Sequence, residues 1–178
     1  MKLLFERGAN VNARAVDGAT PRFIAAKEDR GPAVALLLER GADSNLPGLR
    51  GLCPLAAAAY NGSPDSAEAR LKHGADPNSL DDEGKSAMVY AAGPAYAPVV
   101  ALLIEAGVDV NRRYAHGLAA VMWAAGHDKS AGVDDVAATI RALIEHGAAF
   151  DLKDDRGKTA ADIASGVENQ RAAKLLSR

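Results

Sequence analysis

Aromatic residues make up only 4% of this 178-residue chain, with a single tryptophan, Trp123, and a single cysteine, Cys53. A lone cysteine excludes an intrachain disulfide, so no covalent link of that kind holds the fold. It is compatible with a reducing compartment such as the cytoplasm. No apolar run reaches the roughly eighteen residues that a spanning helix needs. Neither sign of charge dominates: 21 basic and 23 acidic residues leave a net charge of −2. Such a balance gives no electrostatic reason to expect nucleic acid or an anionic membrane as partner. The N-terminal stretch lacks the long apolar core of a signal peptide. What the chain has instead is alanine, within an apolar share of 48%. That suits short helices packed closely around few large side chains.

Glycine is placed with a period. Gly18, Gly51, Gly84, Gly117 and Gly157 each open a turn, in steps of 33, 33, 33 and 40 residues. Gly8, Gly41, Gly74, Gly107 and Gly147 each follow an apolar, helix-like run, with the same steps. A fixed period in this range marks a stacked array whose units cover one another's apolar faces. The text between the glycines repeats as well. Gly18-Ala19-Thr20-Pro21 leads to Ala25-Ala26 and then to Leu36-Leu37-Leu38-Glu39-Arg40-Gly41-Ala42-Asp43. Gly84-Lys85-Ser86 leads to Ala91-Ala92 and then to Leu102-Leu103-Ile104-Glu105-Ala106-Gly107.

These motifs, with Gly8-Ala9-Asn10-Val11-Asn12, resemble the ankyrin repeat, and the likeness covers nearly the whole chain. The resemblance implies an all-α solenoid, one β-turn and one helix-turn-helix per unit, with about four complete units after an N-terminal half-repeat. The histidine of the family's Thr-Pro-Leu-His motif is replaced by Phe23, Ala56, Val89, Met122 and Asp162. Its usual hydrogen bond to the capping threonine is therefore expected to be absent.

Residues 1–178 read as a single domain, with units at about 1–15 (partial), 16–47, 48–80, 81–113, 114–153 and 154–178. Thr20, Ser86 and Thr159 stand where helix caps belong, Cys53 replaces one, and Ala119-Ala120 leaves one site without a hydroxyl. Pro32, Pro64 and Pro98 suit the starts of second helices. Arg70 occupies the register of Leu37 and Leu103, so its stem should lie on the core while its charge reaches water. The seven extra residues of the fourth unit fall between its helices, at about 127–133, leaving Asp134 or Asp135 to cap the second helix. Polar Gln170, Arg171 and Lys174 suggest a wet C-terminal cap. Met1 aligns within a second helix. The chain is thus expected to be a fragment of a longer protein, with any signal upstream, or else to start in a genuine half-repeat.

Little in the sequence points to catalysis. Gly84-Lys85-Ser86 and Gly157-Lys158-Thr159 resemble the end of a phosphate loop, but Ser79 and Leu152 stand where its first glycine belongs. His73 and His146 end second helices, where a protonated ring complements the helix dipole. His116 and His127, with the acids near the insertion, lack tight metal-ligand spacing. Cys53 has no base in a suitable place, and the turn carboxylates read as solvated. No metal and no cofactor is expected.

Function is therefore expected on the surface. The resemblance implies that partners meet the turn tips and the first-helix surface. Carried onto this chain, that gives Asp17, Ala19, Lys27 and Glu28 in the first unit, and Leu49, Arg50, Leu52, Tyr60 and Asn61 in the second. The third gives Asp82, Glu83 and Lys85, the fourth His116, Leu118 and His127, and the fifth Asp155, Arg156 and Lys158. Leu49, Leu52, Tyr60 and Leu118 are apolar at positions that should be wet, as a partner site would be. The expected activity is that of a non-enzymatic module binding another protein or peptide on its concave face. The alternatives are a regulatory or targeting segment of a larger enzyme or effector, and a metal or small-ligand site around His116 and His127.

Overall fold

Small polar residues start the helices and glycine ends them. Thr20 Oγ1 accepts the Phe23 amide at 3.1 Å, Cys53 Sγ the Ala56 amide at 3.4 Å and Ser86 Oγ the Met88 amide at 3.2 Å. These bonds satisfy donors that a first helical turn leaves open. At the far ends of second helices, Gly41 and Gly107 adopt φ of 80° and 85°, a region that a Cβ disfavours.

The computed structural model describes residues 5–16, 18–28, 30–43, 46–126 and 133–177. Among them ten α-helices form five pairs. They are α1 (Pro21–Lys27) and α2 (Gly31–Glu39), α3 (Pro54–Tyr60) and α4 (Pro64–Lys72), and α5 (Ala87–Ala92) and α6 (Ala97–Glu105). The last pairs are α7 (Ala120–Ala125) and α8 (Val133–Glu145), then α9 (Ala160–Gly166) and α10 (Gln170–Leu176). No strand occurs among the described residues. No described helix is long and apolar enough to cross a membrane.

The first helix of each pair packs on the first helix of the next, and the second helices do the same. The result is a two-layer, all-α solenoid. Alanine pairs such as Ala58-Ala59, Ala91-Ala92 and Ala124-Ala125 are fully buried between the layers, where larger side chains would push the helices apart. Leu37, Leu103 and Leu143 fill equivalent places with no exposed surface. Asparagine side chains tie one unit to the next. Asn111 Nδ2 donates to the Gly147 carbonyl at 3.0 Å, and its Oδ1 accepts the Ala149 amide at 2.7 Å. Asn12 spans to Gly41 and Asp43 in the same way, at 3.4 and 3.0 Å.

Four expectations from the sequence are corrected. Arg70 does not send its charge to water; the residue is 0% exposed, and Nη1 donates to the Ser66 carbonyl of its own helix. Its position faces inward, with α3 beneath and α2 and α6 on either side, so the head folds back rather than out. The insertion does not lie wholly between the helices. Helix α8 has 13 residues where α2, α4 and α6 have nine, and it takes in Val133, the last of the positions assigned to the insertion. No proline fixes its start, and Asp134 and Asp135 fall within its first turn instead of capping it. Residues 127–132 lie outside the described part. The histidine substitute of the fifth unit does bond its threonine: Asp162 Oδ2 accepts from the Thr159 amide at 2.9 Å and hydroxyl at 2.8 Å. A carboxylate three residues into the helix reaches back as a capping box. Finally, Leu52 and Leu118 are half-buried rather than wet, since each packs against the core.

Candidate functional site

The turn tips come in two kinds. In the tips of the second and fourth units, consecutive residues have positive φ: Arg50 at 55° and Gly51 at 72°, then His116 at 62° and Gly117 at 70°. Two such residues make a type I′ turn. The third and fifth units use an aspartate instead. Asp81 Oδ1 accepts the Glu83 and Lys85 amides, both at 2.9 Å, and Asp154 Oδ1 accepts those of Arg156 and Lys158, both at 2.9 Å. The tips then join in twos, the Asp82 amide donating to the Arg50 carbonyl at 3.1 Å and the Asp155 amide to that of His116 at 3.2 Å.

Behind the first of these joined tips lies a groove of about 420 Å³. Buried Phe23 and Ala57 with half-buried Leu52 and Tyr90 give it an apolar floor. Tyr60, 62% exposed, stands beside Tyr90 with ring centroids 6.0 Å apart and planes at 77°. The Tyr90 hydroxyl donates to Asp81 Oδ2 at 2.5 Å. Burial, then this bond, pushes the phenol well above its ordinary pKa, so it stays a neutral donor. Asn61 Nδ2 donates to the Lys27 carbonyl at 2.8 Å, which ties the ends of α1 and α3 together. Arg50 reaches Glu83 at 3.8 Å, and Lys85 meets the same carboxylate at 2.7 Å.

Of the surface positions expected from the sequence, Lys27, Arg50, Leu52, Tyr60, Asn61 and Glu83 come together in this groove. Lys85 sits just beyond it, its ammonium 5.9 Å from the Trp123 ring centroid. Arg156 and Lys158 line a separate hollow of about 200 Å³ with Asp162 and Ile163 in the last unit. Glu28 and Asp82 are exposed near the groove without lining it, and His116 is an exposed tip residue in the fourth unit. Leu49 belongs to the short 3₁₀ turn Leu49–Gly51. Asp17 and His127 lie outside the described residues. Among those described, no three His, Cys, Asp or Glu side chains gather as a metal site. Ser86 and Thr159, at the ends of the phosphate-loop lookalikes, are occupied as helix caps. Burial raises the pKa of the Cys53 thiol, which works against thiolate chemistry.

Phe23, Asp81 and Tyr90 also line the groove, and sequence reasoning missed them as site residues. The signal was present in the register. Ile24, Ala57, Tyr90 and Trp123 follow one another at 33-residue steps, one per unit, along the inner helices.

A family model described as ankyrin repeats, three copies, matches residues 1–81, 33–114 and 55–134. No curated protein matches the chain. Ankyrin repeats are generally protein–protein interaction modules and typically not enzymes. The match spans three quarters of the sequence, and five helix pairs stack in the arrangement it implies; the chain belongs to the ankyrin-repeat family.

Proposed function

We propose that this chain binds a partner protein through the concave groove between its first three helix pairs. The observation that carries the reading is the coincidence of an apolar floor, an exposed tyrosine anchor and a polar rim in one hollow of about 420 Å³. Interfaces draw most of their energy from a few such anchors, with tyrosine and arginine enriched among them. Bonds from tip to tip and from Asn61 to Lys27 hold the groove in shape, which lowers the ordering cost of association. The six surface positions gathered there form the proposed contact set; the remaining positions are peripheral to it.

The test is capture of a defined partner with Tyr60→Ala and Arg50→Ala variants, after circular dichroism confirms unchanged folding. Loss of one anchor should weaken binding at least about tenfold. Capture unaffected by both variants would count against the groove. The Arg156 and Lys158 hollow serves as control, since Lys158→Ala should leave capture unchanged.

A further inference from the structure

The charged groups around the groove are unequally engaged. Its two carboxylates are already engaged: Asp81 holds the Tyr90 hydroxyl and two backbone amides, and Glu83 holds Lys85 and, at 3.8 Å, Arg50. Its cations are not. The Lys27 ammonium has no acidic partner among the described residues, and the Arg50 side chain is 77% exposed with one long contact to share among five N–H donors. Both stand at the edge of an apolar floor that lacks charge of its own. An occupant that completes this arrangement has a large apolar side chain for the floor and carboxylates beside it for the rim. A basic segment would find Glu83 already paired with Lys85 and Asp81 holding three neutral donors, and would face two cations besides.

Resting on the partner-binding reading above, we propose that the groove takes an extended acidic segment of that partner: one aromatic or large aliphatic side chain seated on Phe23, Leu52 and Tyr90, flanked by Asp or Glu that pair with Lys27 and Arg50. The volume, near the lower end of ordinary ligand pockets, suits one or two side chains of an extended strand rather than the face of a folded helix. The rim pairs are solvent-exposed, so they set specificity and salt dependence, while the apolar anchor supplies affinity.

Selection of a random peptide display library on the purified full chain tests this, with enriched sequences remade as fluorescein-labelled peptides and measured by anisotropy. The expected result is enrichment of a large apolar residue with acidic flanks. Affinity should fall as salt rises, fall at least about tenfold in Tyr60→Ala, and shift toward basic flanks when selection is repeated on Lys27→Glu. Both altered side chains are exposed, so the variants keep their fold, as thermal melts will record. Enriched peptides with neutral or basic flanks that still depend on Tyr60 overturn the acidic assignment and leave the groove reading intact. No enrichment, or enrichment indifferent to Tyr60→Ala, overturns both.

Discussion

Arg22 and Arg70 stand in registers that other units fill with Leu55, Met88 and Val121, or with Leu37 and Leu103. Both are buried, at 2% and 0% exposure. Arg22 Nη1 donates to the Asp43 carbonyl at 2.7 Å, and burial lowers its pKa against the opposing pull of Asp43. A buried guanidinium costs more than its few hydrogen bonds return, and an apolar side chain of similar reach often does better. Arg70→Leu is therefore expected to stabilise the protein by about 1–3 kcal/mol. At this chain length that raises Tm by roughly 2–4 °C per kcal/mol, measurable by scanning calorimetry. His116 carries a different load. At φ 62° its Cβ crowds the backbone at a cost of about 1 kcal/mol, part of which His116→Gly recovers after the entropy of glycine is counted. A Tm that falls in His116→Gly would contradict the strain. The 33-residue register made the position of Arg70 readable from sequence, since a period fixes which face a residue occupies. It does not fix where a long side chain ends, and there the reading failed. Tyr90 and Phe23 escaped for a related reason: the gap between neighbouring tips decides what lines a groove, and that gap is a tertiary distance.

Individual elements were legible wherever capping chemistry or proline marked their ends, as at Thr20, Cys53, Ser86 and Pro64. Helix α8 lacked both marks, and it takes in Asp134 and Asp135, which were expected to cap it. The links between elements are carried by few groups. Asn111 makes two bonds that join the turn after α6 to the turn after α8, so Asn111→Ala should cost about 1–3 kcal/mol, read as a lower denaturant midpoint at unchanged slope. The capping box of α9 adds a pH dependence. The Thr159 amide, then its hydroxyl, holds the Asp162 carboxyl below the ordinary carboxylate range. A depressed folded pKa contributes stability above the unfolded value, and that contribution disappears as pH falls through the folded one. Amide protection in α9 should thus drop relative to α5 below about pH 4, and Asp162→Ala should abolish the difference. Equal acid sensitivity in the variant would assign the effect to other groups.

At the scale of the molecule, the stack is not uniform. Its buried apolar residues separate into a large cluster running from Cys53 to Leu176 and a small one built on Ala19, Phe23, Val34, Leu37 and Ala57. Half-buried Leu52 packs against both. Both buried arginines lie near this division, Arg22 on α1 within the small cluster's helix pair and Arg70 on α4 at the start of the large one. In a solenoid, stability is close to a sum of unit terms and nearest-neighbour interfaces, so a weak interface lets one end open alone. Here α2 and α4 meet across Arg70, whereas α4, α6 and α8 continue through Leu103 and Leu143. Native-state hydrogen exchange should therefore resolve two opening free energies, with α1 and α2 below α5 to α8. Replacing Arg70 by leucine extends the apolar row across the division and should draw the two toward a single value, raising protection in α2 more than in α8. A uniform rise, or a single opening free energy in the parent protein, would mean that the array already opens as one unit despite its divided core. The consequence reaches the groove, because Phe23 and Lys27 belong to the first pair while Tyr60 and Tyr90 belong to the next two. Opening of α1 and α2 dismantles one wall, so Arg70→Leu should tighten partner binding by the fraction of molecules it returns to the closed array.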